Sequence, residues 1–404
     1  LFSQLAFLNT KLSRRLLDLL SPTMNCTVGA VTSIPIFDKS CQEKAYQMGE
    51  KAVGITKQDY DSVETSWEFE KFRLLDVNNK LSLYRCYTAY QDYCSQLTNQ
   101  IKQLEEENNR LFIDAYGLQA ELTPEVPIEE ITLFANPKYR YRGELTDTEL
   151  EARFKADTMK ELLSYSVGCM MGRYSLDVPG IVYAHAENKG FDPKKYKAFP
   201  ADEDGIIPIT EREWFVDDVA CRFFRFAETA WDKKGLDENL DFIADAMGRK
   251  SGELSRDAIR GYFVNDFYKD HCQTYKNRPI YWLFTSGKEK AFQALVYLHR
   301  YNEGTLARMR TEYVLPLQTK IMRHIEHLEK DKDAASGSTA NKTQKEIVAL
   351  QKQQAELSKF DERLRHYADM KIKLDLDEGV KANYGKFGEL LEPIKGLKHG
   401  SEED

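Results

Sequence analysis

Leu97-Thr98-Asn99-Gln100-Ile101-Lys102-Gln103-Leu104-Glu105-Glu106-Glu107-Asn108-Asn109-Arg110-Leu111 is the stretch on which the fold turns. Leu97, Ile101, Leu104, Asn108 and Leu111 recur at spacings of three and four, which gathers them on one face of a helix. No Pro or Gly interrupts the chain from Leu81 to about Tyr116, so the pattern predicts one long amphipathic helix with Glu105, Glu106 and Glu107 on its wet side. The same periodicity returns in Leu150, Phe154, Met159, Leu162, Leu163, Val167 and Met170, a helix from Glu149 to about Tyr174. Further helices are expected over Phe215–Trp231, Asn239–Met247 and Ser255–Tyr268, the last with Ser255 as its N-cap. Two long helical segments, Thr305–Lys330 and Thr343–Lys371, flank the small and polar residues from Asp333 to Thr339, which suit a loop tip. They predict an antiparallel hairpin whose seam is Ile321, Ile325 and Leu328 against Ile347, Leu350, Leu357 and Leu364. Strand signals are few: a β-like run from Val28 to Ile36, and Arg278–Phe284 with its aromatic and β-branched content.

The expected fold class is therefore mainly α: helical domains with long amphipathic helices, a C-terminal antiparallel helical hairpin and minor β. Pro124, Pro127 and Pro137 mark a connection that places a domain boundary near residue 145. The organisation reads as an opening segment 1–40, a long-helix spacer 41–145, a helical globular domain 146–304 and a helical hairpin with its tail 305–404.

With 404 residues, 42% hydrophobic and 30% charged, the chain can bury a sizeable core. Lys11, Arg14, Arg15 and Asp18 break the apolar opening run, which excludes a membrane span there, and basic residues that follow the apolar stretch exclude a signal peptide. A chain that opens on Leu1 is expected to be a piece of a longer protein. Seven cysteines, an odd number without a C-x-x-C pair, fit a reducing, cytoplasmic setting, so the sequons at Asn25 and Asn341 are read as chance. The net charge of -8 argues against a coat of non-specific DNA-binding charge but leaves room for a local basic face.

Three patterns only imitate catalytic chemistry. Gly337-Ser338-Thr339-Ala340-Asn341-Lys342-Thr343 ends like a phosphate-binding loop but lacks its glycines. His324 and His327 have no third His at metal spacing and read as a solvated helix face. Asp202-Glu203-Asp204 with Glu211-Arg212-Glu213 lacks the acidic-x-Lys pair of many nucleases and reads as a surface loop. No metal ligands are expected.

A charge asymmetry remains. Between Asp245 and Arg310 there are twelve basic residues against seven acidic ones, net +5 in a chain of net -8. Arg249, Lys250, Arg256, Arg260, Lys276, Arg278, Lys288 and Lys290 are the candidate DNA-binding residues, since Lys and Arg at this density can contact phosphates. Tyr262, Phe267, Tyr275, Tyr281 and Trp282 are interleaved, while Ile259, Tyr262, Phe263 and Phe267 at helical spacing read as core. Arg256 and Arg260 lie four apart, away from the Ile259–Phe263–Phe267 stripe, and are expected to reach one phosphate track.

Several separated motifs carry a resemblance. The run Leu19-Leu20-Ser21-Pro22-Thr23-Met24-Asn25, with Val28-Gly29 and Ile34-Pro35-Ile36, resembles the end of the target-recognition region in fused type II restriction-modification methyltransferases, which assigns residues 1–40 to such an end. Asn109 to Leu118, Ile131-Thr132-Leu133 with Asn136-Pro137-Lys138-Tyr139-Arg140-Tyr141, and Leu163 to Tyr174 resemble the PglX family, the adenine-specific DNA methyltransferases of BREX phage-defence systems. So do Asp204 to Ile209, Trp214 to Asp218, Arg278 to Leu283 and Leu376 to Tyr384. The resemblance implies a parent enzyme that methylates an adenine amine in host DNA with S-adenosylmethionine. Its partners would be double-stranded DNA, the upstream methyltransferase domain, and other BREX components or a phage-encoded DNA mimic. The methyltransferase needs a glycine-bearing turn for S-adenosylmethionine and an Asn/Asp-Pro-Pro-Tyr/Phe loop for the flipped adenine. Asn136-Pro137-Lys138-Tyr139 comes nearest, with Lys138 in place of the second Pro. No cofactor and no catalytic residue is therefore expected in this chain, which reads as a non-catalytic DNA-recognition and DNA-holding part, with protein docking or structural bracing as the alternative.

Overall fold

A computed structural model describes residues 1–21, 27–35, 41–75, 82–334 and 336–397. The architecture is mainly α with one small antiparallel sheet, as the periodicities require. Among the described residues no helix is long and apolar enough to cross a membrane. The chain divides into two compact units, residues 1–77 with 84–155 and residues 78–83 with 156–404.

In the first unit the predicted long helix runs from Leu83 to Ala115; Leu81 lies outside the described residues. Its face carries Cys94, Leu97 and Ile101 into a core closed by Val126, Ile131, Leu133, Leu150 and Phe154. Further along, Phe112 joins Phe7, Leu12, Ile34, Cys41 and Ala45 in a second core. The acidic run is not all wet: Lys102 pairs with Glu106, which accepts from Val126 N, and burial, then the charge of Glu130, pushes Glu105 up to about 7. The β-like run is a short helix, Val28–Thr32, because Thr27 caps it by accepting from Ala30 N at 3.2 Å; Ile36 and residues 22–26 lie outside the described residues.

The second unit is built on strands β1 (Ile206–Ile209), β2 (Tyr281–Thr285) and β3 (Gln293–Tyr297), in the order β1-β3-β2, all antiparallel. Pro208 sits on the edge strand, where its missing N–H costs no ladder bond on the outer side. Every strand residue is buried, which explains why the strands are apolar but for Thr285 and Gln293 and why β1 and β3 show no alternation in the sequence. The expected Ser255–Tyr268 helix is two, Ser255–Asn265 and Phe267–Thr274, broken at Asp266, and Ser255 is not its cap: Leu254 holds that position without a side-chain bond. The hairpin is present as Leu315–Ala334 packed on Gly337–Asp369, with Ile321, Ile325, Ile347, Leu350, Leu357 and Leu364 all buried. Its tip is shorter than expected, since Asp333, Ala334 and Ser338 to Ala340 are helical; Ala335 lies outside the described residues.

Candidate nucleic-acid interface

The basic stretch separates into residues that hold the second unit together and residues that face solvent. Arg260 belongs to the first kind. Its guanidinium pairs with Asp218, donates to Thr210 O at 3.1 Å and keeps only 12% of its side chain exposed, against 0% for Asp218. The structure therefore removes Arg260 from a phosphate track shared with Arg256. The reason is local: Asp218 caps the Val219–Ala230 helix by accepting from Cys221 N at 2.8 Å, and a buried carboxylate needs a counter-charge. Arg249 is held by Asp241 and Asp245, and Arg256 by Asp237 while lying over the Phe224 ring. Arg300, inside the same stretch, is fully buried and donates to Asp202 O, Glu203 O and Asn188 Oδ1.

Lys250, Lys276, Arg278 and Lys288 are exposed, and among the described residues none of them forms an ion pair. Lys276 and Arg278 owe their position to a turn that ends the Phe267–Thr274 helix. Asn277 N reaches back to Cys272 O at 2.7 Å while Lys276 and Asn277 take φ of 51° and 60°, a left-handed helix stop made without glycine. Lys288 and Lys290 stand on the β2–β3 turn, which Glu356 of the hairpin holds by accepting from Ser286 Oγ, Glu289 N and Ala291 N at 2.7, 2.7 and 3.2 Å. Lys290 Nζ donates to Val264 O and Asn265 Oδ1. The two basic groups thus flank β2, separated by roughly 14 Å of strand rise.

Tyr275, which precedes Lys276 in the chain, belongs to a cluster that the sequence reading missed. Arg173 Nε donates to Tyr174 Oη at 3.1 Å and Nη1 to Tyr297 Oη at 3.3 Å, within electrostatic reach of Tyr281 and Tyr275. The Tyr275 and Tyr281 rings each lie 4.8 Å from that of His271, and the Tyr297 ring 4.9 Å from that of His299. Gly168 makes the packing possible, because a Cβ there would meet Tyr174 at 2.4 Å. Burial, and then the Arg173 charge, pushes His271 down to about 3 and His299 to about 4, so both are neutral at neutral pH. These residues come together only through the β2–β3 register, which places Tyr281 opposite Tyr297; no spacing in the sequence announces it.

The patterns that imitated catalysis have structural partners. Asn136 is buried, donates from Nδ2 to Ile128 O and Ile131 O at 2.7 and 2.9 Å, and accepts from Lys138 N, so its amide is committed to its own turn and cannot meet a base. The acidic stretch is a surface loop only in part: Glu203 and Glu211 to Glu213 are exposed, but Asp202 is buried and pairs with Arg222 at 3.3 Å, and Asp204 accepts from Ile206 N and Tyr313 Oη. It borders a cavity of about 830 Å³ that also includes Arg225, Asp217 and Glu312. His324 packs on Trp214 and His327 pairs with Asp331 at 2.9 Å.

Nearly the whole chain is similar to adenine-specific methyltransferases. One is the adenine-specific methyltransferase BrxX of Escherichia coli O9:H4 (strain HS), 46% identical over 407 residues, covering 98% of this chain and 33% of that protein. Another is the adenine-specific methyltransferase PglX of Lacticaseibacillus casei (strain Zhang), 38% identical over 402 residues, covering 97% of this chain and 32% of that protein. The chain is a homologue of these methyltransferases and spans about a third of the length of the curated relatives it matches. No family model matches it.

Proposed function

We propose that this chain is the non-catalytic C-terminal part of an adenine-specific DNA methyltransferase of phage defence, and that it holds the duplex while the upstream methyltransferase domain binds S-adenosylmethionine and acts on the base. The observation that carries this reading is the pair Lys276 and Arg278, exposed, without carboxylate partners among the described residues and presented by a left-handed turn. Unpaired cations of this kind contact phosphates without sequence preference and make binding fall steeply with salt. Arg249, Arg256 and Arg260, spent on Asp241, Asp237 and Asp218, contribute little to that surface. The non-catalytic assignment rests on the commitment of Asn136 to its own turn. Calorimetry with S-adenosylmethionine and anisotropy with a labelled duplex test both halves. The expected result is duplex binding and no cofactor binding; saturable cofactor binding in the micromolar range, roughly -8 kcal/mol, would remove the non-catalytic assignment.

A protein-docking role is favoured for the first unit by its exposed aromatics, Trp67 at 94%, Tyr60 and Phe134, the last two with ring centroids 6.5 Å apart. The upstream methyltransferase domain, another defence component or a phage-encoded DNA mimic would be the partner. An unchanged emission spectrum of Trp67 on mixing with each of these would count against it.

A further inference from the structure

Most half-buried arginines of the second unit face a carboxylate: Arg222 faces Asp202, Arg260 faces Asp218, and Arg310 faces Asp361 in a two-bond contact at 2.8 and 3.1 Å. Arg173 does not. Among the described residues its partners are the hydroxyls of Tyr174 and Tyr297, and it forms no ion pair. Among the described residues its Nη2 makes no hydrogen bond, and the side chain is only partly buried. A guanidinium stays charged at any ordinary pH, and withdrawing it from water without a counter-ion is costly. Phenol hydroxyls orient the fork but bring no negative charge. The neighbouring His271 and His299 add none either, so among the described residues no counter-charge pairs with Arg173.

We propose that Arg173, with Lys276 and Arg278 beside it, is an anion site that takes a backbone phosphate of nucleic acid. Arg173 is pre-oriented by Tyr174 and Tyr297 and offers its Nη2 edge, while Lys276 and Arg278 supply mobile charge from the neighbouring turn, which is joined to Tyr275 by the Arg278 N to Tyr275 O bond at 2.9 Å. A planar donor fork suits a phosphate's paired oxygens better than a point charge does. This inference rests on the duplex-holding reading and adds to it the residue at the centre of the surface.

The test uses the chain itself with three variants, Arg173→Met, Arg173→Lys and Lys276→Gln with Arg278→Gln, in anisotropy titrations of a labelled duplex over a range of KCl. In parallel, inorganic phosphate is titrated while the arginine Nε–Hε NMR signals are followed. Arg173→Met is expected to flatten the salt slope by about one unit, and Arg173→Lys to keep the slope at reduced affinity. The wild-type Arg173 signal should move with phosphate, and more with duplex. Should Arg173→Met fail to fold, Arg173→Lys and the NMR titration decide: an Arg173 signal that ignores duplex overturns the proposal. A folded Arg173→Met that matches wild type while Lys276→Gln with Arg278→Gln is impaired overturns the site and leaves the duplex-holding reading standing. Absence of duplex binding by the wild-type chain at low salt overturns both. Saturation by phosphate without duplex binding overturns the assignment to nucleic acid.

Discussion

The guanidinium of Arg260 is locked to the carboxylate of Asp218, a side chain with no exposed surface that also caps the Val219–Ala230 helix. Arg260 thus belongs to the packing of the second unit rather than to its charged surface. Arg260→Met would leave Asp218 as a buried charge without a partner, at a cost of about 3–5 kcal/mol. Arg256 pairs with Asp237 at 3.4 Å with 48% of its side chain exposed, so Arg256→Ala should change stability by about 1 kcal/mol or less. Urea unfolding of the two variants separates these outcomes, and equal midpoints would contradict the assignment.

Asp204 is pushed up to about 7 by burial, then by its hydrogen bond to Asp202 and the charge of Asp202. A carboxyl raised in the folded state above its ordinary 3.8 contributes stability that is complete below that value and is lost as pH rises through about 7. Asp204→Asn keeps an acceptor for Ile206 N in its Oδ1, turns an amide donor toward the Tyr313 hydroxyl, and removes this loss. Its Tm should therefore exceed that of wild type by about 1–4 °C at pH 8 and approach it at pH 5, as read by calorimetry.

His271 has the opposite sign. Its Nε2 accepts from Ile280 N and Tyr281 N, both at 3.2 Å, and burial followed by the Arg173 charge holds it down at about 3. A folded pKa below the ordinary 6.5 gives stability that is complete above 6.5 and is lost as pH falls from there toward about 3. His271→Gln, which can still accept, should lose less of its Tm than wild type between pH 6.5 and pH 4.5. A parallel loss in both would contradict the assignment of the acid sensitivity to this ring.

Leu357 lies fully buried in the hairpin seam, whereas Leu328 on the other arm is only half-buried. Leu357→Ala should cost about 2–5 kcal/mol and Leu328→Ala distinctly less. Denaturant midpoints of the two variants check the order.

The helices were legible because their cores write a period of 3.6 into the sequence: Leu97 and Ile101 on the long helix, and Leu350, Leu357 and Leu364 on the hairpin, all face inward. The strands were legible only at Tyr281–Thr285. Ile206–Ile209 and Gln293–Tyr297 are covered on both faces and carry no alternation that would distinguish them from other apolar runs. Of the candidate site, the sequence supplies the density of charge but not its pairing. Asp218 lies 42 residues from Arg260, and Arg173 lies 124 residues from Tyr297, so neither the neutralisation of the one nor the assembly around the other has a local signal.

The duplex-holding account is tested most directly by the salt dependence of duplex affinity in two charge-reversal pairs, Lys276→Glu with Arg278→Glu and Arg249→Glu with Arg256→Glu. The first pair should flatten the slope of log affinity against log salt by about two units, and the second should change it by distinctly less. Equal slopes in both folded pairs and the wild type, or no duplex affinity at any salt, would contradict it.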